Sequence, residues 1–134
     1  MNIQSEQAML DAGRDFATKI TAPAVIELVG DVGVGKTTFV RGLAEGLGVK
    51  EPVTSPSFTI SKVYALSEGN LVHYDFYRLN EPGLMMDDLA EKINEGRNIV
   101  VVEWGDSVAE LLPDKHILIK FEYDDEGGRH LNVL

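Results

Sequence analysis

The 134-residue chain has no cysteine. This excludes a disulfide framework, thiolate chemistry and any zinc site built on thiolates, and it agrees with a reducing compartment. Basic residues are scarce: 12 Lys and Arg stand against 22 Asp and Glu, a formal net charge of −10. A broad nucleic-acid footprint is basic, so tight direct binding of RNA or DNA is not expected. The acidic balance serves solubility or docking to a basic protein partner, and charge alone favours the first. No apolar run approaches membrane-spanning length. The segment Met1-Asn2-Ile3-Gln4-Ser5-Glu6 has neither a basic n-region nor an apolar h-region. No signal peptide is therefore expected, and the expected location is the cytoplasm. Repeats, linkers and low-complexity segments are lacking as well. The length predicts a single domain over 1–134, and the 44% hydrophobic content suffices for a layered core.

Glycine is not scarce, and it is concentrated where it carries chemistry. Gly30-Asp31-Val32-Gly33-Val34-Gly35-Lys36-Thr37 fits the phosphate-binding pattern G-x-x-x-x-G-K-[S/T] at every fixed position. Composition alone produces such a match by accident in about 0.5% of chains like this one. Ala24–Val29 before it reads as a buried strand. Phe39, Val40, Leu43, Ala44 and Leu47 after it recur at helical spacing. Strand, glycine loop and helix are the setting in which the backbone N–H groups of Asp31, Val32, Gly33, Val34, Gly35, Lys36, Thr37 and Thr38 form an anion nest at a helix N-terminus. The ligand this predicts is the phosphate of a nucleotide, with Mg²⁺: Lys36 reaches the β- and γ-phosphates as a point charge, and the Thr37 hydroxyl ligates the metal.

The remaining elements follow in order. Ser5 is a candidate N-cap for a helix over Glu6–Ile20, slightly weakened by Gly13. Side chains of Ser5–Met9 either pack on the sheet or approach a nucleotide base. Gly48 ends the second helix. The hydroxyl-rich stretch Val53-Thr54-Ser55-Pro56-Ser57-Phe58-Thr59 reads equally well as a loop entering a strand and as a switch that senses γ-phosphate. Phe58–Leu66 and Asn70–Asp75 form a hairpin around Ser67-Glu68-Gly69. Asp75, at a strand end, faces a ligand crevice, pairs with Arg78 or caps the next turn. His73 is read as a strand residue, having no identifiable partner. Met86, Leu89, Ala90 and Ile93 mark a short helix ending at Gly96.

The run Asn98–Trp104 is apolar and β-branched, as a central parallel strand is, and it ends in Glu103, the arrangement called Walker B. A carboxylate there holds Mg²⁺ or orients water. Trp104 lies near the site or fills core. A short helix over Asp106–Leu112 is stopped by Pro113. Two strands, His116–Tyr123 and Arg129–Leu134, flank a solvated acidic turn at Asp124–Gly128, with Arg129 a weak candidate for nucleotide contact. The fold class predicted is α/β: a P-loop NTPase three-layer sandwich with a mostly parallel central sheet and antiparallel additions.

The ordered set of Gly30–Thr38, Thr54-Ser55-Pro56-Ser57-Phe58-Thr59, His73-Tyr74-Asp75-Phe76-Tyr77-Arg78-Leu79 and Val102-Glu103-Trp104 closely resembles the bacterial TsaE-like P-loop ATPases of tRNA threonylcarbamoyladenosine biosynthesis. The phosphate loop is generic. The SPxF loop, the D-x-Y-R segment and the E-W pair, in this order, are more specific. The resemblance implies phosphate binding by Lys36, Mg²⁺ at Thr37 and a first switch carrying Thr54, Ser55, Ser57 and Thr59. It also implies a hydrolytic role for Asp75, metal or water positioning by Glu103, and Trp104 beside the nucleotide. Where this chain has Ser57 the family usually has threonine. Such proteins are weak ATPases that dock on the complex transferring a threonylcarbamoyl group to tRNA, so the partners implied are proteins and contact with tRNA is at most indirect. A small P-loop kinase phosphorylating a metabolite is the main alternative, although no Arg-rich lid follows the central strand. A GTPase lacks its N-K-x-D element, and a purely binding scaffold needs fewer crevice carboxylates.

Overall fold

The structure is a computed structural model and describes residues 1–31, 33–56, 61–77 and 83–134, with Leu84 described by its backbone alone. Strands β1 (Asn2–Ile3), β2 (Ala24–Val29), β3 (Ser61–Ala65), β4 (Asn70–Asp75), β5 (Ile99–Glu103), β6 (Ile117–Tyr123) and β7 (Arg129–Val133) alternate with helices α1 (Glu6–Ala17), α2 (Lys36–Gly46) and α3 (Leu84–Asn94) and a 3-10 helix, Gly105–Leu111. The strands form one seven-stranded sheet in the order β1-β7-β6-β2-β5-β4-β3. Pairing is parallel between β4 and β5 and antiparallel for β1–β7, β6–β7 and β3–β4. The α/β class with a mostly parallel centre and antiparallel edges is thus as expected.

Contacts gather the chain into two compact units, Met1–Ile20 with Leu28–Thr54 and Leu118–Leu134, and Thr21–Glu27 with Ser55–Ile117. In the first, Ser5 caps α1 as its sequence position predicts, its Oγ accepting from the Ala8 N–H at 3.0 Å. The helix stops at Ala17, short of the expected Ile20, because the Thr18 hydroxyl and N–H both turn back to the Asp15 carbonyl, a local bond that competes with further helix. Gly13 is no mere weak spot. A Cβ there would lie 2.2 Å from the Phe39 carbonyl oxygen, and one at Gly42 would lie 2.1 Å from that of Leu10. The two helices therefore meet backbone to backbone. Phe39 is fully buried between Phe16, at 5.8 Å between ring centroids, and Phe121, at 5.5 Å and edge-on. Strand β1 was not anticipated: two residues are too short to show a period, and only pairing with β7 defines them.

In the second unit the two faces of β4 and β5 differ in kind. Val72, Tyr74 and Phe76 with Val100 and Val102 join Val25, Leu89, Val108 and Leu112 in an apolar cluster. Period-two alternation turns His73, Asp75, Val101 and Glu103 to the other face. The parallel register sets Asp75 opposite Glu103 and His73 opposite Val101. Buried Asn98 joins two elements: its Oδ1 accepts from the Asn70 N–H at 3.1 Å, and its Nδ2 donates to the Lys92 carbonyl at 2.8 Å. The segment after β5 is a 3-10 helix with non-helical dihedrals at Val108, in place of the expected short α-helix. Expected strand residues Phe58–Ile60 lie outside the described residues, as does Arg78, the alternative partner of Asp75.

Two outcomes follow from this packing. Gly→Ala inside a helix ordinarily stabilises by about 0.5–1 kcal/mol. At Gly42 the added methyl meets the Leu10 backbone, so G42A lowers stability by about 1–3 kcal/mol in urea unfolding. Tyr74 donates to Asp88 at 2.6 Å, and burial, then that bond and the nearby carboxylates of Asp88, Glu95 and Glu91, push its phenol far up from 10.0. A raised folded-state value means stability present below the unfolded phenol's value and lost as pH rises past it. The unfolding midpoint therefore falls between about pH 9 and about pH 11, and Y74F flattens that fall.

Candidate functional site

The glycine loop leaves the end of β2 and enters α2. Gly33 has φ 84° and Gly35 φ 111°, in the left-handed region where a side chain is strained. A Cβ at Gly35 would also lie 2.8 Å from the Met9 methyl, so α1 packs directly beneath the loop. Gly35 is the N-cap of α2, no side chain caps the helix, and no acidic residue stands in its first turn. Its first N–H groups thus carry no side-chain cap, with the positive end of the helix dipole behind them. Lys36 is buried, and its Nζ donates to the Gly30 carbonyl at 2.5 Å. Thr37 and Thr38 are half-buried and Asp31 is exposed, while Val32 lies outside the described residues.

Beside the loop opens a cavity of about 490 Å³ lined by Ile3, Ser5, Glu6, Met9, Gly33–Gly35, Thr38 and Gly127–Arg129, among others. Ser5, Glu6 and Met9 of the first helix and Arg129 of the last strand thus line one cavity. The Arg129 guanidinium lies 4.3 Å from the centre of the Tyr123 ring, a cation–π contact, and donates to the Gly127 carbonyl at 3.0 Å. Tyr123 is 49% exposed, at the open end of the strand, where Arg129 lies over its ring. The acidic turn is more than a solvated tip. Asp124 Oδ1 accepts from the N–H groups of Glu126 at 2.9 Å and Gly128 at 2.7 Å, which folds Gly127 and Gly128 into the cavity wall. No sequence signal marks these glycines; only the hairpin register brings them there.

At the ends of β4 and β5, Asp75 is 6% and Glu103 3% exposed. Asp75 Oδ1 accepts from the Tyr77 N–H at 2.9 Å, the bond of a turn cap. His73, read as lacking a partner, has one: its Nε2 lies 2.5 Å from Glu103 Oε2, with both side chains buried. The clue available in sequence was only that His73 and Asp75 share a strand face; the parallel register that adds Glu103 is a tertiary fact. Trp104 follows at φ 56°, ψ 48°, the one non-glycine with positive φ among the described residues, and its ring lies 4.9 Å from that of Tyr77. Strained backbone next to a buried carboxylate is a frequent mark of functional sites. Thr54 and Ser55 are exposed and Pro56 is buried; Ser57 and Thr59 lie outside the described residues. No helix among the described residues is long and apolar enough to cross a membrane.

The family model described as threonylcarbamoyl adenosine biosynthesis protein TsaE matches residues 3–131. A Streptomyces coelicolor protein named tRNA threonylcarbamoyladenosine biosynthesis protein TsaE is 40% identical over 116 residues, which is 85% of this chain and 78% of that protein. An Aquifex aeolicus protein of the same name is 36% identical over 135 residues, covering 98% of this chain and 92% of its own. The crystal structure of Bacillus subtilis YdiB superposes with a TM-score of 0.80 at 28% identity, over 98% of this chain and 80% of that one. Matched from its first strand to its last by that model, and by relatives along most of their length, this chain belongs to the TsaE family of tRNA threonylcarbamoyladenosine biosynthesis.

Proposed function

We propose that the chain binds ATP with Mg²⁺ and hydrolyses it slowly, stimulated by protein partners, to support the complex that transfers the threonylcarbamoyl group to tRNA. The observation that carries this reading is the glycine loop: left-handed Gly33 and Gly35, an α2 N-terminus without a side-chain cap, and buried Lys36 held at a loop carbonyl. Phosphate or a like anion makes use of that combination.

In this reading the amides of Asp31–Thr38 hold the phosphates. Lys36 exchanges the Gly30 carbonyl for β- and γ-phosphate oxygens, a gain because a phosphate oxygen is the stronger acceptor. The cavity beside the loop takes the nucleoside, with Arg129 over it. Trp104 lies beside the bound nucleotide, and Thr54, Ser55, Ser57 and Thr59 carry the switch. The Thr37 hydroxyl and the carboxylate of Glu103 are hard oxygen donors that suit Mg²⁺. When bound, Mg²⁺ neutralises charge growing on the β- and γ-oxygens. Asp75 orients the attacking water. Its oxygen bonds to the γ-phosphorus as the bond to the β–γ bridging oxygen breaks, releasing ADP and inorganic phosphate, and the water's protons pass to phosphate and solvent.

K36A weakens ATP affinity about 10- to 100-fold, equivalent to the ~1.5–3 kcal/mol of one charge-assisted hydrogen bond, as measured by calorimetry. Parent affinity in K36A would overturn the phosphate reading. R129A costs about 0.5–2 kcal/mol of affinity for ATP and much less for inorganic triphosphate, which has no base to cover. In reconstituted tRNA modification, omission of this chain reduces the number of turnovers, K36A fails to restore them, and phosphate is released free rather than bound to a metabolite.

A further inference from the structure

We propose that His73 is a positioning residue for Glu103, its Nε2–H holding the carboxylate through Oε2 so that the side chain meets Mg²⁺ or water in one orientation. This rests on the role read for Glu103 under Proposed function. The contact is 2.5 Å long between a ring with no exposed surface and a carboxylate that is 5% exposed. A carboxylate accepts, so in this contact Nε2 is the donor. The ring's Nδ1 is buried and has no hydrogen-bond partner among the described residues.

A merely structural pair would not be built this way. A buried polar atom left unpaired lowers stability, and two apolar side chains of similar volume serve a core at least as well. The arrangement makes sense where the orientation of the carboxylate matters more than the stability of the strand pair. The two carboxylates at this sheet end are also secured differently. Asp75 has two side-chain torsions and is held by the backbone N–H of Tyr77 in its own turn. Glu103 has three torsions, hence more freedom to lose, and its partner comes from the neighbouring strand. Register explains the reach. His73 stands opposite Val101, one same-face position behind Glu103, so the longer acidic side chain folds back along the sheet to meet it.

The experiment compares H73L, H73N, H73Q and E103Q in the full-length chain. It reads single-turnover ATP hydrolysis, ATP affinity with and without Mg²⁺, and thermal melting. Gln can place an amide N–H where Nε2 stands; Asn is polar but one methylene too short. The expected result is hydrolysis lowered about 10- to 100-fold in H73L and H73N and recovered to within about threefold in H73Q. Mg²⁺-free ATP affinity stays at the parent value in all three, the Mg²⁺ needed for half-maximal tightening rises in H73L and H73N, and the melting temperature of H73L does not fall. If H73L does not fold, the contrast between H73N and H73Q decides. Hydrolysis at the parent rate in H73L or H73N while E103Q has lost it would overturn the positioning role alone. Parent hydrolysis in E103Q would overturn the role of Glu103 and this proposal with it.

Discussion

Backbone-to-backbone contact between α1 and α2 is the constraint on which the first unit depends. It requires glycine at 13 and 42, since a methyl at either site would stand about 2 Å from a carbonyl oxygen of the other helix. So close an approach seats Met9 under Gly35, brings Phe16 onto Phe39, and places Ser5 and Glu6 at the rim of the cavity beside the loop. The exposed ion pairs across the same helices, Arg14 with Glu45 and Arg41 with Glu6, add little, because solvent screens them and long side chains lose freedom. Interlocked backbones, rather than surface charge, hold the glycine loop in its left-handed shape.

The second unit solves a different problem. It keeps two carboxylates and a histidine buried on one face of a strand pair whose other face is apolar. Burying acids is costly unless each finds a donor. Asp75 uses the N–H of its own turn and Glu103 uses His73. Trp104 leaves the strand through a left-handed residue that is not glycine, which the surrounding packing must maintain. Side chains and backbone at this sheet end are thus held in fixed geometry. The Tyr74–Asp88 bond anchors the apolar side of the same strand to α3.

Much of this was legible before any coordinates. Strands Ala24–Val29 and Asn70–Asp75 stand at their expected bounds because apolar runs closed by Gly, Asn or Asp leave few alternatives. Gly48 terminates α2 with φ 95°, as a glycine after the last helical turn should. What was misread shares a cause. Gly13 looked like a flaw in a helix, His73 like an isolated strand residue, and β1 left no trace. Each is defined by a residue far along the chain: Phe39 for Gly13, Glu103 for His73 and His130 for Asn2.

By itself, then, the sequence determined the α/β class, the glycine loop between strand and helix, the acids at the strand ends and, through the order of its short motifs, the family. These are local properties of period, spacing and residue type, and they survive in any one-dimensional reading. The tertiary structure alone decided that α1 and α2 touch through glycine, that the last hairpin walls the cavity beside the loop, and that Glu103 is held by His73. Helix contact and strand register are pairings between distant segments, and neither periodicity nor motif spacing encodes which partner a face will meet.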